Sequence, residues 1–205
     1  MSILSNIKVI PLLTVDDPST AVELAELLVS NRFPIVEVTL RTPNALSVIQ
    51  AIVKKVPQIN VAAGTVISPV QLQQVADAGC KMIVCPGISR DLIEQTQMLK
   101  LNSLMGVSSA SELILGLEYK LSTFKFFPAE ASGGRAWLQA MKGPFPDISF
   151  CPTGGINQSN YQQYLELSNV LAVGGSWMLP QDDINQRDWT TIDARLKLIQ
   201  QQVGL

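Results

Sequence analysis

Short apolar runs alternate with amphipathic stretches along the chain. Each run is rich in valine, isoleucine, leucine or phenylalanine, which is typical of buried β-strands. The intervening stretches repeat apolar residues every three or four positions, which is typical of helices that bury one face. The pattern predicts eight strands, at residues 8–13, 35–41, 59–64, 81–85, 102–106, 122–127, 148–152 and 170–174.

The predicted helices carry recognisable first turns and apolar faces. A capping side chain precedes proline in three places, and Ser109 and Glu112 have the spacing of a capping box. The three cap-and-proline pairs are Asp17-Pro18, Thr42-Pro43 and Ser68-Pro69. The faces expected to be buried are Ala21, Leu24, Ala25 and Leu28 in the first helix, and Leu46, Ile49, Val53 and Val56 in the second.

Strands that alternate with helices predict a parallel sheet, because parallel neighbours need a crossover connection. Eight such units can close the sheet into a barrel, which leaves no exposed edge strand. We therefore expect an α/β protein, a (β/α)8 TIM barrel with residues 1–205 in a single domain. An open doubly wound sheet is the alternative, although no Gly-x-Gly-x-x-Gly follows the first strand, where a dinucleotide-binding fold carries it.

Composition narrows the chemistry. With 47% apolar and 16% charged residues, the 205-residue chain is typical of a globular protein. The absence of histidine excludes Ser/His/Asp and Cys/His nucleophile arrangements and metal sites that depend on imidazole. A net charge of −2 without a basic block argues against a nucleic-acid partner.

Cellular location is predicted from what the sequence lacks. Residues 1–13 show no basic stretch followed by a long apolar core, and no run approaches the roughly 18 apolar residues of a membrane span. We expect a cytoplasmic protein with no membrane partner. The three cysteines, Cys80, Cys85 and Cys151, lie in or beside apolar runs and are expected to be reduced and buried.

The predicted second strand has one apolar and one reactive face. Its two-residue period places Glu37, Thr39 and Arg41 together, opposite the side of Val36, Val38 and Leu40. In a barrel the apolar face meets the helices, so the polar face points inward. The alternative to a functional site is a structural ion pair between Glu37 and Arg41 that closes one layer of the barrel.

The predicted sixth strand repeats this arrangement. Phe124 and Phe126 share one face, and Thr123, Lys125 and Phe127 share the other. Burying a lysine among aromatic rings disfavours its cation and favours the neutral amine that forms a Schiff base with a ketone. The alternative for Lys125 is a charge that protects an exposed edge strand, but a closed barrel has no such edge.

Two glycine pairs follow the seventh and eighth predicted strands. They are Thr153-Gly154-Gly155 and Gly174-Gly175-Ser176. A single pair is typical of a tight turn. Two pairs in these loops favour a phosphate site, because many TIM barrels hold a substrate phosphate there on backbone N–H groups.

These motifs resemble the 2-keto-3-deoxy-6-phosphogluconate aldolases, which are class I pyruvate aldolases. The similarity runs from about Val9 to Pro180. Its motifs are Val38-Thr39-Leu40-Arg41-Thr42, Ala63-Gly64-Thr65-Val66, Cys85-Pro86-Gly87, Phe124-Lys125-Phe126-Phe127-Pro128-Ala129-Glu130, Cys151-Pro152-Thr153-Gly154-Gly155-Ile156 and Gly174-Gly175-Ser176-Trp177. The resemblance implies a trimer of (β/α)8 barrels with lyase activity in the Entner–Doudoroff pathway, acting on a phosphorylated keto acid without a metal or other cofactor.

The resemblance also implies roles for particular residues. Lys125 matches the Schiff-base lysine, and Glu37 matches the acid/base glutamate. The remaining matches are Arg41 and Thr65 at the pyruvyl carboxylate, Pro86 and Phe127 in the apolar walls, Thr153 facing the sugar hydroxyls, and Gly154, Gly155, Gly175 and Ser176 in the phosphate-binding loops.

Two positions depart from the family pattern. Many members have proline where this chain has Met105, and many have arginine where it has Thr14. We expect the first change to loosen a turn and the second to remove a charged contact to substrate.

Three other functions compete with this interpretation. A 4-hydroxy-2-oxoglutarate aldolase would share the lysine and the glutamate, and one enzyme could serve both substrates. A phosphosugar isomerase or synthase would use the phosphate loops without an imine. A non-catalytic barrel would bind a sugar phosphate and cleave nothing.

Overall fold

Eight parallel strands form the centre of the computed structural model, which describes Leu4 and residues 7–204. The strands are β1 (Val9–Leu13), β2 (Ile35–Thr39), β3 (Asn60–Gly64), β4 (Met82–Val84), β5 (Asn102–Val107), β6 (Thr123–Phe126), β7 (Ser149–Pro152) and β8 (Val173–Gly175). Each predicted strand overlaps an observed one. The largest shift is in β8, which begins later than expected because residues 170–171 make only an isolated bridge to β7.

The strand order confirms the barrel. Neighbours follow the chain from β1 to β7, and β1 also pairs in parallel with β8. Two isolated bridges, Phe150 to Val170 and Thr153 to Gly174, join β7 to the β8 segment. The doubly wound alternative is wrong, because such a sheet reverses its strand order and this one does not.

Helices alternate with the strands around the barrel. They are α1 (Pro18–Ser30), α2 (Ala45–Lys55), α3 (Pro69–Asp77), α4 (Arg90–Met98), α5 (Ala110–Glu118), α6 (Gly134–Met141), α7 (Tyr161–Leu165), α8 (Gln181–Asn185) and α9 (Trp189–Val203). The single domain spanning 1–205 stays a prediction, and residues 1–3, 5–6 and 205 of that range lie outside the described residues.

Two apolar layers hold the barrel together. Outward-facing strand residues such as Val36, Val38 and Phe124 contact the helices in one large buried cluster. A smaller cluster that includes Ile35, Met82 and Leu104 fills the barrel interior. The alternation along each strand therefore separates the two layers and leaves a few inward positions for polar residues.

Local signals in the sequence set most helix starts. The Asp17 side chain accepts from the hydroxyl and N–H groups of Ser19 and Thr20, and these bonds, the hydroxyl bonds most of all, lower the pKa of its carboxyl well below the usual range. Ser68 caps α3, and Ser109 with Glu112 forms the predicted capping box of α5. These three predictions are confirmed.

The predicted start at Thr42-Pro43 is wrong. Helix α2 begins at Ala45, and its N-cap Asn44 makes no side-chain cap bond. Instead, the Asp16 carboxylate in the loop after β1 accepts from the Asn44 backbone N–H at 2.9 Å and from its side-chain amide at 3.1 Å. Because the acceptor comes from another loop, the local sequence around α2 does not reveal it.

The buried face is as predicted in α1 and shifted in α2. Ala21, Leu24, Ala25 and Leu28 are all buried. In α2 the buried residues are Ala45, Val48, Ile49 and Ile52, whereas Leu46 and Val53 are half-buried at the edges of that face. Val53 turns toward the end of α3, where its Cγ1 lies 2.9 Å from the position of a Cβ on Gly79.

The three cysteines are free and buried. Burial raises the pKa of each thiol to about 12, so the thiols are neutral near pH 7 and are poor nucleophiles. Met105 lies inside β5 and faces the helices, so the expected turn at this position does not exist.

Leu4 and residues 7–204 contain no helix that is both long and apolar enough to span a membrane. The same residues contain no cluster of three or more metal-ligating carboxylates or thiols.

Candidate active site

Lys125 and Glu37 meet inside the barrel. Lys125 is the inward residue at the centre of β6, and Glu37 is the inward residue at the centre of β2. The Lys125 Nζ lies 3.5 Å from the Glu37 Oε1, and both residues are only 3% exposed. The Phe127 ring lies against the amine, with its centroid 5.0 Å from Nζ. The sequence placed both groups on the inward faces, and the structure adds that they form a buried ion pair.

Two glycines beside this pair have no space for a side chain. A Cβ on Gly64 would lie 2.3 Å from the Glu37 Oε1, so the glutamate side chain occupies the volume that any other residue at 64 would fill. Gly106 is the register partner of Lys125 on β5. A Cβ at Gly106 would lie 2.3 Å from the carbonyl carbon of Pro86. Gly64 therefore makes room for the Glu37 side chain, and Gly106 allows the backbone at Pro86 to approach β5.

Arg41 lies at the mouth of the barrel rather than inside it. Strand β2 ends at Thr39, and the chain turns at residues 40–41, which carries the Arg41 side chain out to an exposed position. The Glu37 to Arg41 ion pair is therefore wrong as an alternative, because the partner of Glu37 is Lys125. The Arg41 Nε donates to the Thr65 Oγ1 at 3.2 Å.

Thr65 has an unusual backbone conformation. Its φ is +63°, in the left-handed region that β-branched residues rarely adopt. It follows β3 directly and brings its hydroxyl to Arg41. Strained residues of this kind cluster at functional sites.

Hydrogen bonds join the first two loops beside Arg41. The Thr42 Oγ1 donates to the Val15 carbonyl at 3.1 Å, next to the contact between Asp16 and Asn44. The Thr14 hydroxyl makes a 2.8 Å contact with the Thr39 hydroxyl at the end of β2. Residues 14–17 therefore present two aspartates and no cation to the mouth.

The glycine loops lie on the other side of the mouth. Thr153 is buried directly after β7, and Gly154 and Gly155 both have positive φ, of 95° and 81°. Gly174 and Gly175 belong to β8 itself, so the predicted loop begins only at Ser176. A Cβ on Gly175 would lie 2.2 Å from the Trp177 ring, which explains the need for glycine there.

Backbone donors are available in these loops. Within the part of the chain that the structure describes, the N–H groups of Gly155 and Ser176 donate to no protein acceptor, and both residues are exposed. Exposed N–H groups of this kind bind anions. The loops after β7, β8 and β1 (153–160, 176–180 and 14–17) contain no lysine or arginine. The loops therefore offer neutral donors to an anion.

Pro86 and Phe127 are half-buried residues that follow β4 and β6. The Phe127 ring also lies 3.2 Å from the position of a Cβ on Gly154. Apart from Lys125 and Glu37, which lie one and two residues before the ends of β6 and β2, the candidate residues predicted from sequence lie at or beyond the carboxyl ends of the strands, where TIM barrels place their active sites.

Sequence reasoning missed Glu130 and Tyr164. The hydroxyl of Tyr164, a fully buried residue of α7, donates a hydrogen bond to the Glu130 Oε1. Burial, together with this bond, raises the pKa of Tyr164. Glu130 is the last residue of the Phe-Lys-Phe-Phe-Pro-Ala-Glu motif. Its place in this motif was the only feature of the sequence that could have indicated a role at the site.

Comparisons with known proteins agree with the geometry. The family model of the KDPG and KHG aldolases matches residues 1–195. The KHG/KDPG aldolase of Escherichia coli (strain K12) is 44% identical over 191 residues, which cover 93% of this chain and 90% of that protein.

Solved structures of similar proteins were also found. A KDPG aldolase from Legionella pneumophila, with pyruvate captured as a covalent carbinolamine intermediate, superposes with a TM-score of 0.92 at 40% identity over 95% of both chains. The enzyme of Zymomonas mobilis ZM4, solved with 3-phosphoglycerate, has a TM-score of 0.89 at 41% identity, over 95% of this chain and 91% of that chain. On the family match and on these similarities, the chain belongs to the KDPG and KHG aldolase family.

Proposed function

We propose that this protein is a class I aldolase that cleaves 2-keto-3-deoxy-6-phosphogluconate to pyruvate and glyceraldehyde 3-phosphate. The observation that carries the proposal is the buried amine of Lys125, 3.5 Å from the Glu37 carboxylate at the carboxyl end of the barrel. A lysine that is largely shielded from solvent and has an acid/base partner is suited to imine chemistry.

The reaction begins with a proton transfer. Glu37 accepts the proton that Lys125 must lose before the nitrogen lone pair attacks the C2 ketone of the substrate. The same acid then protonates the hydroxyl of the carbinolamine, which leaves as water. The product is an iminium ion between Nζ and C2, and its positive charge attracts the electrons of the bond to be broken.

Cleavage and release follow from the iminium. Glu37, now a carboxylate, removes the proton of the C4 hydroxyl, directly or through a water. The C3–C4 bond breaks, its electron pair forms the enamine, and glyceraldehyde 3-phosphate leaves. Protonation of the enamine at C3 regenerates the iminium ion, and hydrolysis consumes one water to release pyruvate and the free amine.

The two ends of the substrate are held by different parts of the mouth. Arg41, with Thr65, receives the carboxylate beside C2, because a guanidinium can donate two hydrogen bonds to it. Pro86 and Phe127 form the apolar walls, and Thr153 faces the hydroxyl groups. Gly154, Gly155 and Ser176 hold the phosphate through backbone donors, with Gly175 directly before Ser176 at the end of β8. Binding at both ends fixes the scissile bond between them.

A second substrate, 4-hydroxy-2-oxoglutarate, is favoured by one specific observation. The loops assigned to the phosphate offer neutral donors without a lysine or arginine, and such donors can bind a carboxylate as well as a phosphate. The same lysine and glutamate would then release pyruvate and glyoxylate. We infer that the enzyme acts on both keto acids.

We expect kcat/KM to be higher for the phosphorylated substrate, because phosphate presents more acceptor oxygens to the loops. Coupled assays of both substrates, at the same enzyme concentration, measure the ratio. If kcat/KM for 4-hydroxy-2-oxoglutarate were higher by about tenfold or more, that keto acid would be the preferred substrate and the phosphorylated keto acid the secondary one.

We also propose a homotrimer in the cytoplasm, as the family resemblance implies. Exposed apolar side chains that an assembly could cover include Ile67 and Val70, at 61% and 69% exposure. Light scattering on the purified protein should give three times the 22.3 kDa chain mass. A monomer mass at micromolar concentration would contradict the trimer.

Borohydride reduction in the presence of pyruvate tests the imine. We expect irreversible inactivation of the wild-type protein, with the mass increase mapped to Lys125. Lys125→Ala and Lys125→Arg should lose both turnover and trapping; the arginine variant keeps a cation beside Glu37. Lys142→Ala, at an exposed lysine, is the matched control. Modification of a different lysine, or no trapping at all, would exclude this mechanism.

Gly64→Ala tests the position of Glu37. The new methyl group would displace the flexible end of the glutamate, so the barrel should fold while the acid/base moves. A misplacement of about 1 Å can lower the rate by about 10²-fold, and we expect a kcat decrease of that order. Gly143→Ala is the control, because nothing lies within 4 Å of a Cβ there. A wild-type kcat in Gly64→Ala, with a normal Tm, would show that the rate does not depend on the position of the Glu37 carboxyl group.

A further inference from the structure

Glu130 is the one acidic residue of the Lys125 motif that the proposed mechanism does not use. It begins a short 3-10 turn, Glu130–Ser132, directly after the loop that carries Phe127. Its side chain points away from Lys125 and toward the Gly154–Gly155 loop and α7, as its contacts show. The Glu130 side chain therefore lies beside the loop that is assigned to the phosphate of the substrate.

Main-chain bonds tie this turn to the loop after β7. The Ala129 N–H donates to the Thr153 carbonyl at 2.8 Å, and the Glu130 N–H donates to the Gly154 carbonyl at 3.1 Å. These two bonds continue the pairing of β6 with β7 beyond the ends of both strands. The backbone of the glycine loop is thus attached to the segment that follows Lys125.

The side chain of Glu130 fixes the same loop a second time. A Cβ on Gly155 would lie 2.6 Å from both the Cβ and the Cγ of Glu130, so the glutamate stem occupies the space that glycine leaves. The Glu130 Oε1 accepts from the hydroxyl of Tyr164, a fully buried residue of α7. The glutamate therefore connects the loop at Gly155 to a rigid part of the outer core.

The other side of the loop is held by two asparagines. The side-chain amides of Asn157 and Asn160 donate to the Gly155 carbonyl at 3.2 and 3.0 Å. The Gly155 N–H belongs to the preceding peptide group, whose Gly154 carbonyl accepts from the Glu130 N–H. Both peptide groups that flank the Gly155 α-carbon are therefore held, and the α-carbon itself lies against the Glu130 stem. The N–H of Gly155, which has no acceptor among the described residues, is thereby kept available for an anion.

We propose that Glu130 is a positioning residue that sets the affinity for the distal phosphate of the substrate, by holding the Gly154–Gly155 loop against Tyr164. The inference rests on the proposed function and adds a division of labour to it. Lys125, Glu37 and Arg41 act on the pyruvyl half and on the bond that breaks, and Glu130 controls the binding of the distal phosphate without touching substrate.

Steady-state kinetics of Glu130→Ala, together with pyruvate trapping, test this division. Truncation leaves a gap under Gly155 and a buried Tyr164 hydroxyl without its acceptor, a loss that corresponds to roughly tenfold in binding. We expect KM for the phosphorylated substrate to rise about tenfold, while kcat and the rate of pyruvate trapping stay within about twofold of wild type.

Two further variants and a control separate positioning from folding. Glu130→Gln keeps the stem and an acceptor for Tyr164, so it should restore KM to near the wild-type value. Tyr164→Phe keeps the ring and loses only the hydroxyl, so it should raise KM less than Glu130→Ala does. Glu26→Ala, at an exposed glutamate of α1, should leave KM, kcat and pyruvate trapping unchanged. Tm values for all variants report on the fold.

The outcomes distinguish this inference from the proposed function. Failure of the wild-type enzyme to trap pyruvate would overturn the proposed function itself. Normal wild-type activity, with an unchanged KM in Glu130→Ala, would overturn the role of Glu130 alone. An equal loss of trapping and of phosphorylated-substrate binding, even in Glu130→Gln, would mean that Glu130 supports the whole barrel, and that result also overturns the inference.

Discussion

The site depends on an ion pair that is almost completely buried. Removing a lysine and a carboxylate from solvent costs free energy, and their attraction offsets that cost only when the geometry is maintained. Here the two groups lie on opposite strands, β2 and β6, and the closed barrel fixes their separation at 3.5 Å. Loss of either partner would leave an uncompensated buried charge, at a cost of about 3–5 kcal/mol. Fold and chemistry are therefore coupled through one contact.

The two-residue period within the strands and the alternation of strands with helices were enough to predict the fold and the inward position of Glu37 and Lys125. The alternation in β2 and β6 placed Glu37 and Lys125 correctly, because a strand in a closed barrel has only two faces. Arg41 was misplaced because its strand ends two residues before it, and that end depends on a turn that periodicity does not reveal. The start of α2 was misplaced for a similar reason, since Asp16 reaches Asn44 from a separate loop.

Contacts between loops form the part of the site that sequence patterns do not describe. The bond from Arg41 to Thr65 and the pairing of Glu130 with Tyr164 join residues that are 24 and 34 positions apart. No periodic signal relates such positions, because each loop has its own length and path. The outward apolar face of Val36, Val38 and Phe124 was predictable because it depends only on burial. The phosphate loops show both cases: the glycines stand out in the sequence, whereas the residues that orient them do not.

The space shared by Gly64 and Glu37 has an evolutionary consequence. Because the acid fills the volume above the glycine, a larger residue at position 64 is compatible with a centred carboxyl group only if the acid is shorter. Drift at these two positions is therefore correlated, and a lineage that acquires alanine at 64 is expected to select aspartate at 37 or to abandon the chemistry. In a library that randomises both codons, the active clones should be pairs of constant combined volume.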